Sequence, residues 1–222
     1  VMTGSSSGFG EDAAKVFSDA GYRVWATMRD TTERNAAVKK ALESYSSKIS
    51  VVEMDVKDDN SVKDAFCDIF KEIDEVDVLI NNAGIMYTGI TEGFSIAQAH
   101  EQMNTNYYGA IRTTQAVLPN MRKAGNGLII NVSSIAGRIA APYFGTYCAT
   151  KFALEAYSQS LRYELAPCGI DIALVEPGPF STGLFGAIKQ PERAEVVNSY
   201  GELKNIPDAL FQGFGEMLST GV

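Results

Sequence analysis

Thr3-Gly4-Ser5-Ser6-Ser7-Gly8-Phe9-Gly10 stands between the apolar end of a strand, Val1-Met2, and a helical stretch from Gly10 to Ala20. Glycines at such a junction allow a tight turn and let a pyrophosphate approach main-chain N–H groups at a helix N-terminus. Many strand-to-helix turns need glycine for geometry alone, so the surrounding pattern decides. That pattern alternates. Strand-like apolar runs cover Tyr22 to Met28, Ile49 to Met54, Val76 to Ile80, Gly127 to Val132 and Ile170 to Val175. Helical stretches lie between them at Glu33 to Tyr45, Ser61 to Ile73, Ala97 to Lys123 and Tyr147 to Ala166. The strands are continuous apolar runs, as expected when helices cover both faces of a sheet. Strand alternating with helix predicts right-handed crossovers and one doubly wound parallel sheet, a three-layer α/β/α Rossmann-type domain.

The 222 residues suffice for one such domain, and no linker, repeat or low-complexity tract divides them. Residues 1–222 are therefore read as a single dinucleotide-binding domain, with 178–218 as a substrate-binding excursion that ends in a helix from about Pro207 to Leu218. Both termini are expected to be trimmed. Ser61, with Asp64 three residues on, is expected to cap the third helix. The net charge of −8 argues against nucleic acid or an anionic membrane surface as partner. No apolar run reaches the roughly 18 residues of a membrane span, and no signal peptide is expected. Three unpaired cysteines, Cys67, Cys148 and Cys168, point to a reducing compartment, so a cytoplasmic location is expected. With a single histidine, His100, they cannot build a usual zinc site, and no metal is expected.

Polar residues gather where the strands end, which is where open α/β sheets bind ligands. Met28-Arg29-Asp30 closes the second strand. In dinucleotide folds an acidic residue here binds the ribose 2′-hydroxyl, while an arginine accommodates a 2′-phosphate. The order favours NADP over NAD, against the plainer reading of a solvated arginine. Asp55-Val56 follows the third strand near the expected adenine site, or else leads the next helix. Asn81-Asn82-Ala83-Gly84 ends the fourth strand and Ser133-Ser134 the fifth.

Tyr147-Cys148-Ala149-Thr150-Lys151 puts a phenol and an amine four residues apart on one helix face. A free tyrosine titrates near ~10, too high for efficient proton transfer at neutral pH. An ammonium ~4 Å away at an effective dielectric of ~20 contributes about 4 kcal/mol, roughly three pKa units. Lys151 is thus expected to bring Tyr147 towards working range. Ser134 lies 13 residues before Tyr147, and Gly137, Pro142 and Gly145 let the chain fold back. Hydroxyl and phenol could then address one substrate oxygen. Cys148 is expected to pack away from the pair, and Trp25 to lie in the core.

Taken together, Thr3-Gly4-x-x-x-Gly8-x-Gly10, Asn81-Asn82-Ala83-Gly84, Ser134, Tyr147-x-x-x-Lys151 and Pro177-Gly178 occur in one order. The chain resembles the short-chain dehydrogenases/reductases of the main single-domain type, over essentially its whole length. It is similar to the 17β-hydroxysteroid and retinol dehydrogenase-like reductases within them. The resemblance implies that Tyr147 is the general acid in reduction and the base in oxidation. It makes Lys151 the residue that lowers the tyrosine pKa and binds the nicotinamide ribose. It has Ser134 stabilise the substrate oxygen, an oxyanion-type role, and Asn106 hold a water in the proton relay, with Asn104 a neighbour of the same type. Gly4, Ser6, Phe9, Arg29, Asp55, Asn82, Tyr147, Lys151, Pro177 and Thr182 match cofactor-contact positions. It also implies a seventh strand and a last helix beyond Val222, and association into a homo-dimer or homo-tetramer.

Expected pocket walls are Ile85-Met86-Tyr87, Ile135 to Phe144 and Phe180 to Ile188. Ile135, Ile139, Tyr143, Phe144, Phe180, Leu184 and Phe185 make them apolar and aromatic. The expected activity is NADP(H)-dependent reduction of a hydrophobic ketone or aldehyde, or the reverse oxidation. Its alternatives are an NAD-linked alcohol or hydroxysteroid dehydrogenase and a non-catalytic NADP-binding regulator.

Overall fold

A computed structural model describes residues 1–180 and 183–219 of the protein. Six strands form one sheet in the order β3-β2-β1-β4-β5-β6. They are β1 Met2–Thr3, β2 Val24–Met28, β3 Ile49–Glu53, β4 Val78–Asn81, β5 Gly127–Val132 and β6 Ile170–Val175. Every neighbouring pair is parallel. The order runs outward from β1 in one direction and then, from β4, in the other, so a crevice opens at the carboxyl ends of β1 and β4. This is the Rossmann fold. The helices are α1 Gly8–Asp19, α2 Ala36–Tyr45, α3 Asp59–Glu72, α4 Ile96–Met103, α5 Gly109–Ala124 and α6 Gly145–Leu165. After β6 come the short α7 Gly183–Gly186 and α8 Ala194–Ser199, then α9 Ile206–Ser219. Among the described residues no helix is long and apolar enough to cross a membrane.

Successive strand residues point to opposite faces, and both faces are buried. Trp25, Leu79, Ile129 and Ile172 pack with Phe66 and Ile69 of α3, Val117 and Met121 of α5, and Leu161 and Leu165 of α6. Their strand neighbours Val24, Ala26 and Ile80 pack the other way, with Met2, Ala14 of α1 and Leu42 of α2. A polar ladder runs through the first layer. Asn81 donates to Asn131 at 2.8 Å and accepts from Thr113 of α5 at 2.6 Å, and Asn131 donates to Ser158 of α6 at 2.8 Å. It ties β4, β5, α5 and α6 together beneath the crevice, and its buried groups satisfy one another as burial demands. Asn81 therefore does not put its amide in the crevice, as its place in Asn81-Asn82-Ala83-Gly84 suggested.

Two helix expectations need correction. Asp58, not Ser61, caps α3: its carboxylate accepts from the Ser61 main-chain N–H at 2.7 Å. The Ser61 hydroxyl instead accepts from the Asp55 N–H at 2.9 Å and so braces the loop after β3. Acidic and hydroxyl residues crowd this stretch, and each is a competent cap. The helix expected over Ala97 to Lys123 is broken by a π turn at Asn104–Tyr108 between α4 and α5. Such turns insert one residue and re-aim side chains, often at functional sites.

The segment after β6 folds back over the crevice. Tyr87 and Lys189 form a parallel bridge, with Lys189 N–H to Met86 O and Thr88 N–H to Lys189 O both at 3.2 Å. Phe180 meets Phe9 of the glycine loop edge-on at 5.5 Å between ring centroids.

Candidate active site

The crevice is a cleft of about 1010 Å³ that runs from Arg29 at the end of β2 to Phe144 and Leu184 at its far side. At its centre the glycine loop packs with no spare volume. A Cβ on Gly10 would stand 2.3 Å from the Gly4 carbonyl oxygen and 2.6 Å from Asn82 Nδ2. Asn82 holds the same loop by donating to the carbonyls of Thr3 at 3.0 Å and Gly4 at 3.1 Å. The Thr3 hydroxyl returns the contact by accepting from the N–H groups of Asn82 at 3.0 Å and Ala83 at 2.9 Å. The N-cap of α1, Ser7, makes no side-chain capping bond, which leaves the first amides of the helix free to meet an anion. Gly4, Ser6 and Phe9 line this part of the cleft. The donor set and the close-packed loop fit a dinucleotide pyrophosphate.

At the β2 end, Arg29 points into the cleft with Asp55, 3.8 Å from its carboxylate. Asp55 also accepts from the Lys57 N–H at 2.9 Å. Asp30 takes a left-handed backbone with φ 52°, which aspartate tolerates better than most residues. Its carboxylate caps the following turn through the Arg34 N–H at 3.2 Å. That turn brings Arg34 into the cleft beside Arg29. The sequence pattern puts Arg34 in a helix from Glu33 and so misses it as a cleft residue; α2 begins only at Ala36, and Arg34 lies in the turn before it.

At the other end Ser134, Tyr147 and Lys151 meet. Ser134 is the second residue beyond the end of β5. Its hydroxyl accepts from the Ala136 N–H at 3.1 Å. The same hydroxyl donates to the Pro177 carbonyl oxygen at 3.5 Å and is the side-chain group that lowers the pKa of the Tyr147 phenol. Lys151 lies one turn beyond Tyr147, its Nζ 5.7 Å from the tyrosine ring centroid and 2.8 Å from the Val132 carbonyl oxygen, to which it donates. All three line the cleft.

The electrostatics differ from the sequence expectation. Burial pushes the Tyr147 phenol up to about 12, with only the Ser134 hydroxyl pulling it down. Burial also holds Lys151 down to about 8, with Glu155 opposing. Both groups are almost out of water, and desolvation disfavours whichever form is charged. The lysine gives one hydrogen bond to Val132, and in the protein alone burial of the phenol outweighs what the neighbouring charge does to it.

Asn106 sits in the π turn and is buried behind the cleft wall. Its amide donates to the Ile85 carbonyl at 2.9 Å and the Thr150 hydroxyl at 3.0 Å, and accepts from the Ile85 N–H at 2.8 Å. It thus joins the loop after β4 to α6, beside Lys151, and Asn104 does not share this role. Pro177 lines the cleft near Ser134, and its carbonyl accepts from the Ile135 N–H at 3.0 Å. Thr182 lies outside the described residues, as does the side chain of Phe185. Ile85, Met86, Ile135, Ile139, Phe144, Phe180 and Leu184 form apolar walls, as expected. Tyr87 and Tyr143 do not line the cleft. Tyr87 is buried, gives its hydroxyl to Glu101, and is met by Lys189 at 3.1 Å. Cys148 is buried and Trp25 is in the core, while His100 is exposed.

A family model described as short chain dehydrogenase matches residues 1–193. The chain is 42% identical over 183 residues to 3-ketodihydrosphingosine reductase of Bacteroides thetaiotaomicron, covering 82% of this chain and 64% of that one. Among solved structures it resembles a short-chain dehydrogenase from Streptomyces avermitilis, with a TM-score of 0.84, 32% identity, and coverage of 97% of this chain and 78% of that one. It also resembles ElxO with NADP bound, with a TM-score of 0.77, 31% identity, and coverage of 90% and 77%.

Proposed function

The chain belongs to the short-chain dehydrogenase family, and we propose that it carries out NADP(H)-dependent reduction of a hydrophobic ketone or aldehyde, or the reverse oxidation. The observation that carries this reading is the meeting of Ser134, Tyr147 and Lys151 at the apolar end of a cleft whose other end holds Arg29 and Arg34.

When bound, the nicotinamide ring supplies or accepts the hydride. The remaining work falls to the chain's own residues. A carbonyl oxygen within reach of both Ser134 Oγ and Tyr147 Oη would accept two hydrogen bonds there, which stabilise the negative charge that grows on it. Tyr147 gives its proton to that oxygen as hydride reaches the carbon, and in oxidation it takes the proton back. The tyrosine is held protonated by burial, the form a proton donor needs. Lys151 is fixed by Val132 so that its charge faces the phenol and offsets phenolate as it forms. The donors at Gly4, Ser6 and the start of α1 would hold the pyrophosphate. Arg29 and Arg34 would hold the 2′-phosphate, which is the reason for preferring NADP over NAD.

The substrate class follows from the walls. Ile85, Met86, Ile139, Phe144 and Leu184 offer apolar area and no unpaired charge. The Bacteroides relative's name assigns it a keto compound, which suits a site built around one polar oxygen. After β6, Phe180, Gly183, Leu184 and Ala187 line the cleft and would set the length and shape of what enters.

The test is NADPH oxidation followed at 340 nm with alkyl, aryl and steroid ketones and with aldehydes, run beside NADH. Turnover of hydrophobic carbonyls with NADPH favoured supports the reading. Turnover of small polyanions only, or preference for NADH, contradicts it.

A further inference from the structure

Glu155 is 3% exposed and lies one helical turn beyond Lys151 on α6, so the two side chains leave the same face. Neither of its carboxylate oxygens has a hydrogen-bond partner. A carboxylate at that depth persists only with charges to balance it. One is Arg138, whose Nη2 stands 3.4 Å from Glu155 Oε2. The same guanidinium holds Glu176 beyond β6, through Nε at 3.0 Å and Nη2 at 2.8 Å. Arg138 closes the turn that begins at Ser134, its N–H donating to the Ile135 carbonyl at 3.0 Å. That turn is pressed onto α6. A Cβ on Gly137 would fall 2.8 Å from Ser133 Oγ, 3.0 Å from Glu155 Cγ and 3.2 Å from the Lys151 carbonyl oxygen. The other balancing charge is Lys151, and Glu155 is the charge that opposes the effect of burial on it.

We propose that Glu155 is a positioning residue: with Arg138 it locks the Ser134 segment against α6, and it keeps the Lys151 ammonium charged beside Tyr147. This rests on the reading of Ser134, Tyr147 and Lys151 as the proton-transfer group. The charged groups around Glu155 are Lys151 on its own helix, Arg138 from the segment after β5 and, through Arg138, Glu176 from the end of β6. Tyr147 lies one turn beyond Lys151. Glu155 moves no proton itself. Its carboxylate favours the charged lysine, so removing it lets the lysine lose its proton at lower pH.

The test is a 15N NMR titration of lysine side chains in the cofactor-free protein, with the Lys151 signal assigned by its loss in Lys151→Met. Glu155→Gln should lower the Lys151 midpoint by about one pH unit. Glu155→Leu should do the same and covers the case in which Gln does not fold, because it leaves no unpaired amide in the buried site. Glu155→Asp, which keeps the charge, should recover more than half of the shift. The high-pH limb of kcat should move with the midpoint. An unmoved midpoint in folded Gln or Leu variants overturns the proposal, since a purely structural glutamate would change stability alone. The underlying reading fails separately: NADPH turnover surviving in Tyr147→Phe would refute it, whatever Lys151 does.

Discussion

Tyr147 and Lys151 stand one helical turn apart, with the ammonium nitrogen 5.7 Å from the ring centroid, yet burial drives their pKa values apart. The phenol rises to about 12 and the amine falls to about 8. The protein thus holds an un-ionised tyrosine beside a lysine that can give up its charge slightly above neutrality. A site so poised favours the protonated acid that carbonyl reduction consumes.

The lysine leaves a signature in stability. Its pKa falls from 10.5 unfolded to about 8 folded. Between those values the unfolded chain binds more protons, so stability rises with pH across that window. At about 1.36 kcal/mol per unit, the rise contributed by this group is at most roughly 3 kcal/mol. Tyr147 acts the other way above pH 10, where the unfolded phenol ionises before the folded one. Urea unfolding of the cofactor-free protein from pH 7 to 10 should show the rise in wild type and a flatter profile in Lys151→Met. Parallel profiles would show that Lys151 is not desolvated.

Gly10→Ala tests the loop. The added Cβ would meet main-chain oxygen and the Asn82 amide well inside contact distance. Either the Gly4 loop or Asn82 must give way, and the amides that receive the pyrophosphate move with them. NADPH affinity, read by quenching of protein fluorescence, should fall at least about tenfold, the equivalent of one charge-assisted hydrogen bond. An unchanged affinity would show that the loop is not the pyrophosphate cradle.

Arg29→Ala and Arg34→Ala test the 2′-phosphate seat. Hydrogen bonds to a charged group contribute about 1.5–3 kcal/mol, so each variant should bind 2′,5′-ADP about 10- to 100-fold more weakly by calorimetry. Binding of 5′-AMP should stay within about twofold, because only the 2′-phosphate distinguishes the two ligands. Equal losses for both nucleotides would place the arginines elsewhere in the cofactor site. Loss with Arg29 alone would leave Arg34 as a bystander at the rim.

Much of this was legible in the residues themselves. Continuous apolar strands such as Leu128 to Val132 and helices between them dictated a buried parallel sheet, and the polar residues at its carboxyl edge marked the crevice. Ser134, Tyr147 and Lys151 could be expected together because a strand end and a helix spacing fix them locally. What escaped was set by tertiary contact. The pKa direction of Tyr147 depends on how deeply the helix is buried, and spacing carries no information about that. Arg34 reaches the cleft only because Asp30 turns the chain with a positive φ. Glu155 reads in sequence as one more charge on a helix, and its burial depends on Gly137 letting the next segment close over it. The π turn at Asn104–Tyr108 follows from bonds that Asn106 makes to Ile85 and Thr150, which are distant in the chain.

The central claim is that Tyr147 is the proton donor, and Tyr147→Phe tests it most directly. The variant removes one hydroxyl and keeps the ring that packs against Phe144 at 6.5 Å between centroids. General acid catalysis contributes about 10²–10⁴-fold, so single-turnover oxidation of bound NADPH by a hydrophobic ketone should slow by at least that lower figure. NADPH affinity should stay within about threefold, well under the 1.4 kcal/mol that a tenfold change represents. A variant that binds NADPH normally and still reduces the ketone within tenfold of the wild-type rate would contradict the account.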